Sequence, residues 1–236
     1  MNKAVLTTAV VALLMVLLPG PLYKFNVLEL APAFSSFRFG VYVGGVAFLL
    51  IITQFLFARS SMNIAVILAA TTCVIVAVGI PVSMMKKAKG LPPIHDITTD
   101  VQQPPEFNWV LKDRADAPNP AEYLAGEVTK QQLDAYPELA TQVFNASVDD
   151  VQTAATSVVN ELGWTLVHSD TSLHTIEATE ASFWFGFKDD VVIRIQGQDG
   201  QTRVDVRSKS RVGRSDLGAN AQRIRTFQSA LSKQIQ

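Results

Sequence analysis

Three long apolar runs without a charge, 4–22, 41–58 and 64–82, limit what this chain can fold into more than any other feature. A bilayer core about 30 Å thick is crossed by about 20 apolar residues in a helix, and the backbone survives there only as helix or closed barrel, because no water is present to pair an open N–H or C=O. Each run is therefore read as a crossing, with a tight turn at Arg59–Asn63 between the last two. Three crossings put the chain ends on opposite sides. The first run, behind Lys3, also has the form of a secretory signal, but no small-x-small cleavage site follows in LLPGPLYKF, so it reads as a retained anchor. Residues 20–40 hold Tyr23, Phe25, Phe34, Phe37 and Phe39, a composition that predicts an interfacial loop at the headgroup level, where aromatic rings collect. Gly40 and Gly44 form a GxxxG pair, a modest sign of a close helix approach.

Charge divides the chain at the same place. Residues 1–89 carry seven basic groups and one acidic group, net +6, whereas residues 90–236 are net −7. This excludes a single soluble globule, a disordered chain, and a collagen-like or disulfide-built scaffold. The one cysteine, Cys73, lies in the third crossing, so no disulfide forms within the chain. Positive groups give two orientations. Lys24, Arg38, Lys86, Lys87 and Lys89 outnumber Lys3 and Arg59, which places the polar half in the cytoplasm, while Lys3 and the amino terminus weighed against Lys24 across the first crossing place it outside.

Residues 90–121 contain Pro92, Pro93, Pro104, Pro105, Pro118 and Pro120, which hold the chain extended as a strap. Residues 122–236 then read as an α+β domain. A short helix is expected over 127–142, broken at Pro137. Ser147 with Asp150 marks a helix start, Val148, Val151, Ala155, Val158, Val159 and Leu162 form its apolar stripe, and Gly163 is its stop. Four strands follow at Trp164–His168, Leu173–Ala181, Asp190–Gln196 and Thr202–Ser208. Alternation puts Val191, Ile193 and Ile195 on one face and Arg194 and Gln196 on the other. It likewise sets Val204 and Val206 against Arg203, Asp205 and Arg207. Asp199–Gly200 is a hairpin turn, and a last helix from Leu217 carries Ala221, Ile224, Phe227 and Leu231 behind a Ser215 or Asp216 cap. The expected architecture is three transmembrane helices followed by a two-layer domain, an antiparallel sheet packed by two helices.

The densest polar constellation joins FWFGFKDD at 183–190 to RSKSRVGRSDLGAN at 207–220 and supplies Asp189, Asp190, Arg207, Ser208, Ser210, Arg211, Ser215, Asp216, Asn220 and Arg223. Both stretches lie at one end of the sheet, where the last helix begins. A helix amino terminus among Arg and Ser donors suits an anion. The same groups can equally be a structural clasp of caps and ion pairs. Charge runs usually lie on solvated faces, and the basic 188–236 segment, net +5, is set to face the acidic 90–187 segment, net −12, in preference to nucleic acid. Asp189 and Asp190 could form an acid/base pair only on paper, since neighbours on a strand point to opposite faces. His95, His168 and His174 stand in no metal spacing, so no metal or cofactor is expected, and no nucleotide-binding or hydrolase motif occurs.

LPPIHDITTD at 91–100, FWFGFKDDVVIRI at 183–195 and RVDVRSKSRVGRSDLGANAQRIRTF at 203–227 resemble the DUF1499 family, a domain of unknown function found in bacteria and plastid-bearing eukaryotes. The resemblance covers 91–236, and the three crossings look like those of the longer bacterial members. It implies the polar cluster as a family signature without assigning it a role. Some similar proteins carry the domain behind a lipoprotein-type signal, which favours a multi-pass protein of the bacterial inner membrane with its domain on the periplasmic or extracellular side. The expected function is a membrane-anchored binding or scaffolding module, favoured over an enzyme without excluding one, whose partners are the lipid bilayer and an anionic small molecule or envelope protein. The alternative is an envelope-associated hydrolase using the Asp/Arg/Ser cluster.

Overall fold

The structure, a computed structural model, describes residues 1–235. It divides into two compact units, 1–90 together with 183–186, and 91–182 together with 187–236.

The first unit holds α1 (Asn2–Leu17), α2 (Pro19–Lys24), α3 (Leu30–Phe57) and α4 (Ile64–Lys89), with a 3-10 turn at Arg59–Ser61. Asn2–Lys24, Leu30–Phe57 and Ile64–Lys89 are each long and apolar enough to cross a membrane. The loop expected over 20–40 is largely helix instead. Glu29 adopts an extended ψ of 161° and its carbonyl accepts from Ala33 N at 3.1 Å, while Pro32 falls in the first turn, where a missing N–H costs nothing. At 1.5 Å per residue α3 measures about 42 Å, longer than a hydrocarbon core, and Phe34, Phe37 and Phe39 lie on this helix rather than in a loop. Gly40 and Gly44 admit neighbouring helices of the same chain. A Cβ at Gly40 would lie 2.7 Å from Val16 Cγ2, and one at Gly44 2.9 Å from Val78 Cγ2. At the Arg59–Asn63 end, buried Gln54 bonds Asn2, whose Nδ2 donates to Ser61 O at 2.9 Å.

The second unit is α+β. Its elements are β1 (Asp96–Thr98), α5 (Glu127–Ala135), β2 (Gln142–Phe144), α6 (Val148–Glu161), β3 (Thr165–Asp170), β4 (Thr175–Ala181), β5 (Lys188–Gln198), β6 (Gln201–Ser210) and α7 (Ala219–Ile235). The sheet runs β1-β6-β5-β4-β3, antiparallel throughout, and β2 pairs with β6 beyond the end of β1. Ser147 Oγ accepts from Asp150 N at 3.1 Å, starting α6, and Gly163 at φ +71° ends it, with Trp164 N bonded back to Val159 O at 3.1 Å. Asp199 and Gly200, at φ +52° and +77°, close the β5–β6 hairpin in the left-handed geometry that matches strand twist. The core lies between sheet and helices: Ile176, Ala178, Val191, Ile193, Val204 and Val206 meet Val151, Ala155 and Val158 of α6 and Ile224, Phe227 and Leu231 of α7.

The opposite face, expected to be charged and solvated, is charged and buried. Residues 99–123 lie over it as chain that is irregular apart from a 3-10 turn at Lys112–Arg114, with Phe107 and Val110 packed on Val192. β1 and β2 are the two strands that the sequence pattern does not announce. Each has three residues, too few for a period of two to show.

Candidate functional site

Alternation along β6 decides where the polar residues go. Ser208 and Ser210 share the helix face with Val204 and Val206, while Asp205, Arg207 and Lys209, followed by Arg211, face the strap. The ten residues nominated from sequence therefore fall into two separate clusters on opposite sides of the sheet.

On the strap side Asp96 of β1 receives Arg207 in fork geometry, Nε to Oδ1 and Nη2 to Oδ2, both at 2.9 Å, and Lys209 Nζ donates to Oδ2 at 2.9 Å. Arg207 spends further donors on the strap, Nη1 to Pro105 O at 3.1 Å and Nη2 to Ala121 O at 2.7 Å. Its guanidinium carbon sits 4.9 Å from the Phe107 ring centre and 5.4 Å from that of Tyr123. Lys209 Nζ also bonds Glu122 O at 2.7 Å, and burial pulls its amine below the usual lysine value although Asp96 opposes the shift.

Asp190 of β5 is the second centre. Arg211 donates Nη2 to Oδ1 at 2.8 Å and Nε to Oδ2 at 2.9 Å, Thr179 Oγ1 donates to Oδ1 at 2.6 Å, and Arg114 of the strap completes the set. Burial works to raise the Asp190 carboxyl, but the bonds from Arg211, Thr179 and Arg114 outweigh it and hold the group below its ordinary value. Glu177 accepts three successive strap amides, Asn108, Trp109 and Val110, at 2.5, 3.0 and 2.8 Å. Asp205 takes Arg194 Nη2 at 2.9 Å and Thr99 Oγ1 at 3.1 Å, and the same Arg194 nitrogen reaches Asp100 at 2.9 Å.

This face thus balances five cations, Arg114, Arg194, Arg207, Lys209 and Arg211, against five carboxylates, Asp96, Asp100, Glu177, Asp190 and Asp205. The sequence reading missed seven of these ten: Asp96, Asp100, Arg114, Glu177, Arg194, Lys209 and Asp205. The signal that could have found them is the run of ionisable groups at every second position from Arg203 to Arg211, matched by Asp96 and Asp100 in a proline-flanked stretch.

On the helix side the cluster is a cap. Asp216 accepts from Gly218 N and Asn220 N at 2.8 Å each, so its own carboxylate fills the amino end of α7. Ser215 Oγ accepts from Leu217 N at 3.3 Å. Burial pushes the Asp216 carboxyl above its ordinary value against those two backbone bonds. Asn220 Nδ2 donates to His95 O and to Ser210 Oγ, both at 3.0 Å, and Ser208 Oγ donates to Asn220 Oδ1 at 2.7 Å. Arg223 joins Ser208 at 2.9 Å and Asp189 at 2.7 Å and also pairs with Glu180.

Asp189 and Asp190 thus serve different faces. Among the described residues no group of three or more His, Cys, Asp or Glu could hold a metal ion. The histidines are dispersed: His95 Nδ1 lies 3.4 Å from Arg214 O, His168 stacks on Trp109 at 4.3 Å, and His174 Nδ1 lies 2.8 Å from Gln152 Oε1.

One open concavity on the strap side is a cleft of about 540 Å³. It is walled by Phe107, Leu111 and Tyr123, floored by Arg207, and edged by Glu106 and Glu122.

An antiparallel sheet clad by helices on one face, and by an ion-paired strap on the other, defines a small α+β domain following three apolar helices. Residues 96–231 match the family model described as "Protein of unknown function (DUF1499)", and the chain belongs to that family. The match begins at Asp96, the acid that pairs with both Arg207 and Lys209. No curated protein matches the chain.

Proposed function

We propose that the chain is a membrane-anchored binding module, not an enzyme, and that its contact surface is the strap-side cleft, with a basic partner that presents an apolar group. One observation carries this reading: the cations that suggested an anion receptor are spent inside the fold, while carboxylates remain on the rim. Arg207, Arg211 and Arg223 are each tied to acids, and Asp216 occupies the α7 terminus. Glu106 and Glu122 are exposed beside Phe107, Leu111 and Tyr123. Complementary charge then steers and orients the partner while the apolar walls supply area. A hydrolase using Asp190 gains no support, because that carboxyl is fully buried and held ionised by two arginines.

The test is titration calorimetry on the full chain in phosphatidylcholine nanodiscs, with a Lys/Leu peptide and inorganic phosphate as probes. Salt-sensitive binding of the peptide, lost in Glu106→Gln/Glu122→Gln, is the expected result. Phosphate binding without peptide binding would support the anionic ligand instead.

A further inference from the structure

The Pro19-Gly20-Pro21 motif and the Phe183–Gly186 loop belong to the same compact unit, and their chemistry is complementary. Pro21 has no N–H, so the Leu17 carbonyl four residues earlier lacks its helical partner. Trp184 Nε1 donates to that carbonyl at 3.0 Å. The indole reaches it because Gly20 carries no side chain: a Cβ there would lie 2.5 Å from Trp184 Cδ1. Lys24 makes a second clamp, with Nζ donating to Phe183 O at 3.0 Å and lying 5.6 Å from the Phe183 ring centre. Its stem runs over Gly186, where a Cβ would lie 2.8 Å from Lys24 Cγ. What this seating presents outward is apolar: Phe183 is 93% exposed, Phe25 72% and Val27 70%.

We infer that the Phe183–Gly186 loop is a bilayer-interface anchor, seated by Trp184 and presenting Phe183, with Phe25 and Val27, to the headgroup layer where the first crossing ends. The inference rests on the membrane-anchored reading above. The occupant is lipid because the surface sits at the Lys24 end of an apolar helix, and aromatic rings beside a snorkelling lysine are the groups that boundary retains.

The full chain with Cys73→Ser and Phe183→Cys, labelled with bimane in phosphatidylcholine vesicles, tests it against nitroxide lipids spin-labelled near the headgroup or deep in the chain, and against aqueous iodide. Ile75→Cys in the same background, exposed on α4, reports whether the helices are in the bilayer. The expected result is quenching at position 183 by the shallow nitroxide over the deep one, with loss of iodide quenching. Gly20→Ala, which displaces the indole, should restore iodide quenching. Iodide quenching at 183 without lipid quenching, while the Ile75 probe responds to the deep nitroxide, overturns the anchor alone. Loss of lipid quenching at both positions overturns the membrane reading with it. An unchanged depth profile in Gly20→Ala overturns the seating by Trp184.

Discussion

The two faces of the sheet in the polar unit are buried by opposite chemistry. Toward α6 and α7 the strands present Ile176, Ile193 and Val206 to other apolar side chains, a contact that gains from area and depends little on direction. Toward the strap the same strands present Glu177, Asp190, Asp205 and Arg207, each satisfied by named partners. Irregular chain cannot bury itself against an apolar surface without leaving amides unpaired. Glu177 solves this for Asn108–Val110, and Arg207 does so for the carbonyls of Pro105 and Ala121. Side chains can thus replace a missing third layer of secondary structure, provided that the buried charges find partners.

Breaking the ionic face at one partner should have the largest effect. Asp96→Ala leaves Arg207 and Lys209 without their carboxylate and should cost about 3–5 kcal/mol, read by urea unfolding of the full chain in micelles. Replacing all three with apolar residues of similar size should recover most of that loss. On the opposite face Ile193→Ala should cost about 2–5 kcal/mol by the cavity it leaves, while Ile193→Val costs about 1 kcal/mol.

Acid separates the faces further. Because the folded Asp190 carboxyl lies below its ordinary value of 3.8, its contribution is complete above that pH and is lost as pH falls through the folded value. Asp190→Asn should therefore flatten that part of the acid limb. Asp216 has the opposite sign. Its folded value is raised above 3.8, so its contribution falls as pH rises from 3.8 through the folded value, and Asp216→Asn should remove that slope. Ser147→Ala, loss of one cap, should cost about 1 kcal/mol in thermal melts. Arg225→Ala breaks a surface pair with Glu138 and should cost roughly 0–1 kcal/mol.

The apolar face was legible in the sequence because its evidence is local and repeated. Val151 to Leu162 and Ala221 to Leu231 show helical spacing, and Val191 to Ile195 shows alternation. The three apolar helices were legible for the same reason, and only the early start of α3 was not, since aromatic residues suit a helix as well as a loop. The ionic face was half legible. Alternation tells which residues share a side of a strand, but not what covers that side. Asp96 and Arg207 are 111 positions apart, and no local spacing encodes their pairing. The nominated cluster was divided because turn and strand residues at one end of a sheet are neighbours in sequence while pointing to different faces.

Whether the strap-side charges hold the strap, in place of forming a vacant receptor, is decided by a double-mutant cycle. Asp96→Asn and Arg207→Met, singly and together in the full chain, would be followed by fluorescence of Trp164, which stacks on Phe227 in the opposite core. The expected coupling is about 2 kcal/mol, with amide protection of residues 105–123 lost in each single variant. Additive, near-neutral effects with the strap still protected would contradict it.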